Sequence, residues 1–331
     1  MSRLLGLLVL VVSIGGGWAW MEYDSFRSTP LAIADGSVIY EVRRGASLAT
    51  IAKDLEEAGY IQNGMYLQWY GRYTGQAKRI RAGEYRLTGD LVPDTLLALF
   101  VSGSAVDYTL TLLEGWNIRQ VRAAVAGHEA LKHTLDGVDD AALMEKLGLP
   151  GEHPEGRFFP DTYHFNRGMT DLEFLQRAQR KMDQELEAAW AERAEGIPLQ
   201  KPYDALILAS IVEKETGQAG ERAQIAGVFT RRLHKGMLLQ TDPTVIYGIG
   251  ESFDGNLRRR DLKQDTPYNT YVRAGLPPTP ICMPGRGALR AAVNPADGKD
   301  LYFVSKGDGS HVFSATLRAH NAAVRRYQLK R

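Results

Sequence analysis

Residues 203–216 read Tyr203-Asp204-Ala205-Leu206-Ile207-Leu208-Ala209-Ser210-Ile211-Val212-Glu213-Lys214-Glu215-Thr216, and this stretch decides how the rest of the chain must fold. Leu206, Ile207, Leu208, Ile211 and Val212 point in every direction around a 3.6-residue wheel, and a helix that is apolar all round has to be enclosed by other elements. Glu213 follows Ala209 and Leu206 on one line of that helix, so its carboxylate emerges among apolar neighbours. Gly217 is the expected stop. Desolvation disfavours the charged form of Glu213, and the partial negative end of the helix acts in the same direction. A raised pKa follows, which is what a general acid working near neutrality requires. The competing reading is a structural glutamate paired with Arg222 or Lys214, because charged residues are seldom buried without a partner.

Two-carboxylate chemistry would need a second acid. Glu215 lies two residues on, about 200° around the helix, and cannot share the target of Glu213. Glu155, Asp161 and Asp242 are the candidates from elsewhere. Asp242 precedes Pro243, where its first expected job is to cap a short helix.

Working outward, the 331 residues allow two or at most three domains. Lys and Arg number 40 against 39 Asp and Glu, so there is no global electrostatic footprint for nucleic acid. The one cysteine, Cys282, excludes an internal disulfide framework and any multi-thiolate metal site. Residues 4–21 (LLGLLVLVVSIGGGWAWM) carry no charge, and as a helix they would be roughly 27 Å long, enough for a hydrocarbon core. Trp18 and Trp20 suit an interface anchor better than a peptidase site. Arg3 before the run, with Glu22 and Asp24 after it, predicts a cytoplasmic N-terminus and export of everything beyond residue 22.

Residues 22–37 read as a tether. Strand, helix, helix, strand follows: Ser37–Arg43 alternates, Ser47 caps a helix with Leu48, Ile51, Ala52 and Leu55 on one stripe, Met65–Tyr73 is a second helix, and Gly83–Leu87 is a strand. Pro93 and Asp94 open a further helix with Leu96, Leu97 and Phe100. Beyond it the pattern is mixed, with a strand at Tyr108–Leu113, a helix at Asn117–Ala126, and a long amphipathic helix capped by Asp171 and running to about Glu195. Between Gly236 and Pro284 turn signals dominate, as expected of a binding surface. The fold class is α+β: an N-terminal transmembrane helix, a small βααβ subdomain, and a larger mixed domain.

Other signals are set aside. His128 and His133 in HEALKH are five apart, not the four that places two zinc ligands on one helical face. Ser210 and Ser314 lack a nucleophile-elbow context. Arg258-Arg259-Arg260 reads as a solvated loop, and His311, Phe313, His320 and Asn321 as packing.

Ala209–Thr216, Leu239–Gly248 (LQTDPTVIYG), Tyr268–Tyr271 (YNTY), Gly275–Pro278 (GLPP) and the Glu155–Tyr163 loop together closely resemble the MltG (YceG-like) endolytic murein transglycosylase family. Thr279 and Met283 depart from residues common in that family, which bears on subsite shape. The resemblance implies a bacterial inner-membrane protein with its bulk in the periplasm, a LysM-like subdomain at residues 38–103 and a catalytic domain at 104–331. It also implies non-hydrolytic cleavage of the MurNAc-β-1,4-GlcNAc bond in nascent glycan strands, leaving a 1,6-anhydroMurNAc end. The family's catalytic glutamate is matched to Glu213, with Gln240, Asp242, Tyr247, Tyr268, Asn269 and Glu155 lining the groove. No metal or cofactor is called for. The expected partners are peptidoglycan glycan strands, the inner membrane and, through the resemblance, peptidoglycan polymerases; nucleic acid is not expected. A non-catalytic wall-binding scaffold for glycan polymerases and a hydrolytic muramidase are the alternatives.

Overall fold

The computed structural model describes residues 2–34, 36–103 and 106–329; the side chains of residues 2–9, 11 and 12 lie outside the description. The chain divides into two units, Met1–Tyr108 with His164–Gly168, and Thr109–Tyr163 with Met169–Arg331.

In the first unit, helix α1 (Ser2–Ser28) continues into the segment expected to be a tether, because Phe26 is buried there and packs edge-on to Tyr66. Much of the apolar run at 4–21 falls on side chains outside the description. Among the described residues no helix is long and apolar enough to cross a membrane. Strand β1 (Ser37–Val42) leads to α2 (Leu48–Glu57) and α3 (Gly64–Tyr73), and β2 (Gly83–Thr88) returns antiparallel to β1 with Tyr40 opposite Tyr85. Ser47 caps α2 by accepting from the Thr50 amide at 3.1 Å, which leaves Leu48, Ile51, Ala52 and Leu55 on the inward stripe. Helix α4 (Pro93–Ser102) starts at a proline and closes the core with Leu96, Leu97 and Phe100, all buried against Tyr85, Leu67 and Leu87. Gly71 is required where α3 crosses: a Cβ there would run into the side chains of Leu48 and Leu97.

The second unit is built around the apolar helix. Strand β3 (Tyr108–Thr111) pairs with β4 (Thr162–Phe165), and between them lie α5 (Ile118–Ala126) and α6 (Asp140–Lys146). Helix α7 spans Asp171–Ala191. Its cap is Thr170, in a reciprocal box with Glu173, and not Asp171. Asp171 is instead buried and accepts from the backbone N–H groups of Thr134 and Leu135, pinning the preceding loop. The helix also stops short of Glu195, because Glu192 turns out of register and bonds back to Ala189 and Trp190.

Helix α8 (Pro202–Glu215) is buried without interruption from Ala205 to Val212, as its all-round apolarity requires. It is enclosed by α7, α9 (Arg222–His234) and α11 (Arg286–Val293), with Ile225, Phe229 and Leu289 in the shared core. Thr216, not Gly217, ends it: Thr216 is fully extended at φ −148°, so no left-handed glycine is needed. Beyond α9, helix α10 (Asp242–Ile249) is followed by irregular chain as far as α11. The hairpin β5 (Tyr302–Ser305) and β6 (His311–Ser314) then packs on α12 (Leu317–Tyr327).

Candidate active site

The last turn of α8 carries two carboxylates into two different surroundings. Glu213 keeps only 6% of its side chain exposed. Its Oε2 accepts from the Gly285 amide at 3.0 Å, and its Oε1 lies 3.6 Å from a guanidinium nitrogen of Arg222. That same nitrogen is 3.4 Å from Oε2 of Glu114, so the two carboxylates are at most about 7 Å apart. Glycines make the crowding possible: a Cβ on Gly285 would collide with the Glu114 carboxylate, and one on Gly287 with the Arg222 guanidinium. Burial raises the pKa of Glu213, the Gly285 amide works against that, Glu114 adds to it, and Arg222 and Lys214 oppose it. The raised direction matches the sequence expectation, and the Arg222 contact matches the competing one. Glu114 was missed: one acidic residue in a loop gives no sign of the partner that folding brings.

Glu215 faces away from that cluster into a cavity of about 510 Å³. Its Oε1 accepts the Thr241 hydroxyl, and among the described residues it makes no ion pair. Burial pushes its pKa up to about 7, with the Thr241 hydrogen bond opposing, the nearby Asp242 adding and His311 opposing. The cavity floor around it is held rigidly. Gln240 is the one described non-glycine residue with a positive φ, at 52°, and that kink is fixed from outside. The Gln240 amide donates to the Thr270 carbonyl at 3.1 Å, the Thr241 amide donates to the Thr270 hydroxyl at 3.1 Å, and the Thr244 hydroxyl donates to the Thr241 carbonyl at 2.8 Å.

Asp242 is the first residue of α10 and Thr241 precedes it, so Asp242 is not the cap the sequence suggested. Its side chain is exposed and accepts the Tyr271 hydroxyl at 2.5 Å, which turns it along the cavity wall. Arg232 lies beneath, buried, donating to the carbonyls of Leu238, Leu239 and Leu301 and, at 3.3 Å, to Oε1 of Gln240. His311, His320 and Asn321, read from sequence as packing, line the far side of the same cavity. The Nδ1 of His320 is buried and among the described residues has no hydrogen-bond partner, and its ring stacks on Tyr302 with centroids 5.3 Å apart.

The remaining predicted residues are gathered elsewhere. Glu155 has no exposed surface; it accepts from the first amide of α5, Ile118, at 3.1 and 3.2 Å and from the Tyr247 hydroxyl at 3.0 Å. Burial pushes it up to about 7 against those hydrogen bonds. Gly156 next to it has φ 80° and no room for a Cβ, which would meet the Pro280 ring at 2.6 Å. Tyr247 meets Tyr268 edge-on at 4.9 Å, and the Tyr268 hydroxyl pairs with that of Thr279 at 2.8 Å. Both tyrosines are half-buried and leave one side toward solvent. Asn269 is fully buried, its amide donating to the carbonyls of Asp261 and Gln264 and its oxygen accepting from Tyr271. It organises the loop and presents nothing outward. Asp161 pairs with Lys181 at 2.5 Å, which holds it below the usual carboxylate range.

This arrangement provides a lone, poorly hydrated acid beside polar and aromatic groups suited to sugar hydroxyls and ring faces. Residues 40–326 match the YceG-like family. The chain belongs to that family. It is 33% identical over 308 residues to the endolytic murein transglycosylase of Bacillus subtilis (strain 168), covering 88% of this chain and 85% of the relative. It is 26% identical over 333 residues to the endolytic murein transglycosylase of Streptococcus pneumoniae serotype 2, spanning 60% of that longer protein. Among solved structures it is similar to a YceG-like protein of Listeria monocytogenes, with a TM-score of 0.57 and 28% identity over 86% of this chain and 98% of the other.

Proposed function

We propose that this YceG-like chain is an endolytic peptidoglycan lytic transglycosylase whose acid is Glu215. The observation that carries the residue assignment is the cavity itself: Glu215, half-buried and in no ion pair among the described residues, meets Gln240, Thr241, Asp242 and Tyr271 there. Glu213, the residue expected from sequence, faces the Arg222 guanidinium, and a cation beside a carboxyl favours its ionised form, which works against keeping a proton there to donate.

The chemistry suits one carboxyl. Protonated Glu215 gives its proton to the glycosidic oxygen as the C1–O bond breaks. As carboxylate it then takes the proton of the C6 hydroxyl, whose oxygen bonds to C1 in place of water and closes the 1,6-anhydro ring. A pKa near 7 leaves both protonation states within reach at neutral pH. The Thr241 hydroxyl donates to the carboxylate and can accept from the acid, so it serves both halves of the cycle. Gln240, Asp242 and the open sides of Tyr247 and Tyr268 serve as sugar contacts, while Glu155 and Asn269 position the loops that bear them.

The same reading places the protein in a bacterial inner membrane, with α1 as anchor, its N-terminus cytoplasmic and the bulk periplasmic. The unit around β1 and β2 is LysM-like, and glycan polymerases are candidate partners. Its support is the uncharged run at 4–21 and the charges that flank it. A hydrolytic muramidase is the second reading, favoured by the Asp242 carboxylate beside Glu215. Incubation with uncrosslinked glycan and mass analysis of the new ends separates the two: anhydro ends are expected, and ends heavier by one water select the hydrolase.

A further inference from the structure

Residues 58–83 contain Arg72, Lys78, Arg79 and Arg81 and no aspartate or glutamate, in a chain whose overall charge is +1. All four cations are exposed. The same segment carries an exposed line whose Trp69 ring meets only the neighbouring Tyr66, at 6.1 Å, among the described residues. Met65, Trp69 and Tyr73 stand four residues apart on one side of α3, with 49%, 56% and 89% of their surface exposed. The adjacent line of α3 is used: Tyr66 packs on Phe26 of α1 at 5.6 Å and Tyr70 on Tyr23 at 6.3 Å. Helix α1 is therefore fastened to α3 beside the exposed line, and one turn back its own Trp18, Trp20 and Met21, set around the helix, are 65%, 66% and 71% exposed. These three residues are the end of the uncharged run 4–21.

We infer that the Met65, Trp69 and Tyr73 face of α3, with Trp18, Trp20 and Met21 of α1, docks on the surface of an anionic phospholipid bilayer. Three properties converge on that occupant. Tryptophan and tyrosine are the side chains that settle at the water–hydrocarbon boundary, where the ring is dry and the polar edge wet. The basic, acid-free segment around them complements anionic headgroups. The third is continuity, since α1 enters the face directly from the apolar run. A glycan strand or a second copy of the chain would leave that continuity unexplained. Docking holds the first unit flat on the membrane by two attachments, the helix and the α3 face, so its position is fixed relative to the bilayer and not only tethered to it.

The inference rests on the proposed anchoring of α1, and the test separates the two. The full chain is reconstituted in vesicles of phosphatidylcholine and phosphatidylglycerol, carrying Ile14→Cys, Tyr73→Cys or Arg86→Cys with a small fluorophore on the new thiol; Cys282 is buried and is not labelled. Quenching is read with a lipid-borne nitroxide and with aqueous iodide. Labels at 14 and 73 are expected to respond to the nitroxide, and the label at 86, on the exposed side of β2, to iodide. Iodide quenching at 73 with nitroxide quenching at 14 overturns the docking and keeps the anchor; iodide quenching at both overturns the two together. Shielding of position 73 that appears only on adding soluble glycan, or only at high protein density, overturns the lipid assignment in favour of a glycan or a second copy.

Discussion

Glu213 and Glu215 are separated by one lysine and share the last turn of a buried helix, yet folding gives them opposite environments. The Glu213 side is a closed polar knot in which an arginine is shared with Glu114 and two glycines permit the approach. The Glu215 side is an open cavity, and its acid is opposed only by a hydroxyl and a histidine. Burial raises both carboxyls, so burial does not distinguish a catalytic acid from a structural one; the neighbours do. The Arg222 guanidinium and the Gly285 amide oppose the rise at Glu213 and hold its carboxylate in one place. A carboxyl in no ion pair among the described residues, facing solvent-sized space, is free to exchange its proton with a substrate.

The largest expected effect breaks or secures that comparison directly. Glu215→Gln should reduce glycan cutting by roughly 10²- to 10⁴-fold, the usual loss for a general acid, with little change in folding. Glu213→Gln should leave far more activity and lose stability instead, because Arg222 then lacks one of its two carboxylates. Parallel rate and denaturant measurements on the two variants decide the matter; loss of cutting confined to Glu213→Gln reverses the assignment.

Next in size is Gly285→Ala. The new methyl has to displace the Glu114 carboxylate, the far end of a half-exposed side chain, so the expected cost is the loss of its contact with Arg222, about 1 kcal/mol in unfolding free energy. The knot is then sharpened as structural if thermal stability falls while product ends keep the same mass. A variant as stable as the parent would show that Glu114 is not held there.

Part of this contrast was legible in the sequence. The enclosed helix, its apolar wheel and the raised pKa of Glu213 follow from local periodicity, and so do the caps at Ser47 and the start of α4. Which of the two glutamates faces the cavity was not. That depends on where Thr241, Asp242 and Tyr271 are carried by an irregular segment whose path is set by the buried Asn269 and Thr270, contacts without periodicity to read. Glu114 was missed for the same reason, standing 108 residues from Arg222, and His320, read as packing, is brought to the cavity beside Tyr302 by the hairpin that precedes it. Single-residue capping was also ambiguous: Thr170 and Thr241 stand where the acidic residues after them looked equally suitable.

A third prediction concerns pH and stability. The pKa of Glu215 is raised to about 7 in the folded chain, above the ordinary glutamate value near 4.5 that the unfolded chain regains. Between those values the folded state binds the extra proton, so this group stabilises the fold fully below about pH 4.5, and that contribution is lost as pH rises through about 7. Glu215→Gln should flatten the decline in unfolding free energy across that window. Glu155 is raised to about 7 with the same sign, so Glu155→Gln should flatten it as well and the double variant more than either. A decline unchanged in all three would remove the assigned protonation.

The smallest effects are the most discriminating, because they shift the acid in opposite directions without touching it. Thr241 donates to the charged form of Glu215 and lowers its pKa, so Thr241→Val should raise it and move the alkaline limb of the rate profile to higher pH. Asp242 places a negative charge nearby and raises the pKa; Asp242→Asn should lower it and move the limb to lower pH, while the new amide oxygen still accepts the Tyr271 hydroxyl. Both residues belong to the Glu215 cavity, and Glu213 is perturbed by neither among its principal neighbours. Opposite displacements of the limb therefore identify the titrating acid as Glu215 even where absolute rates are low. Two limbs that stay fixed would place the working proton on the other face of the helix.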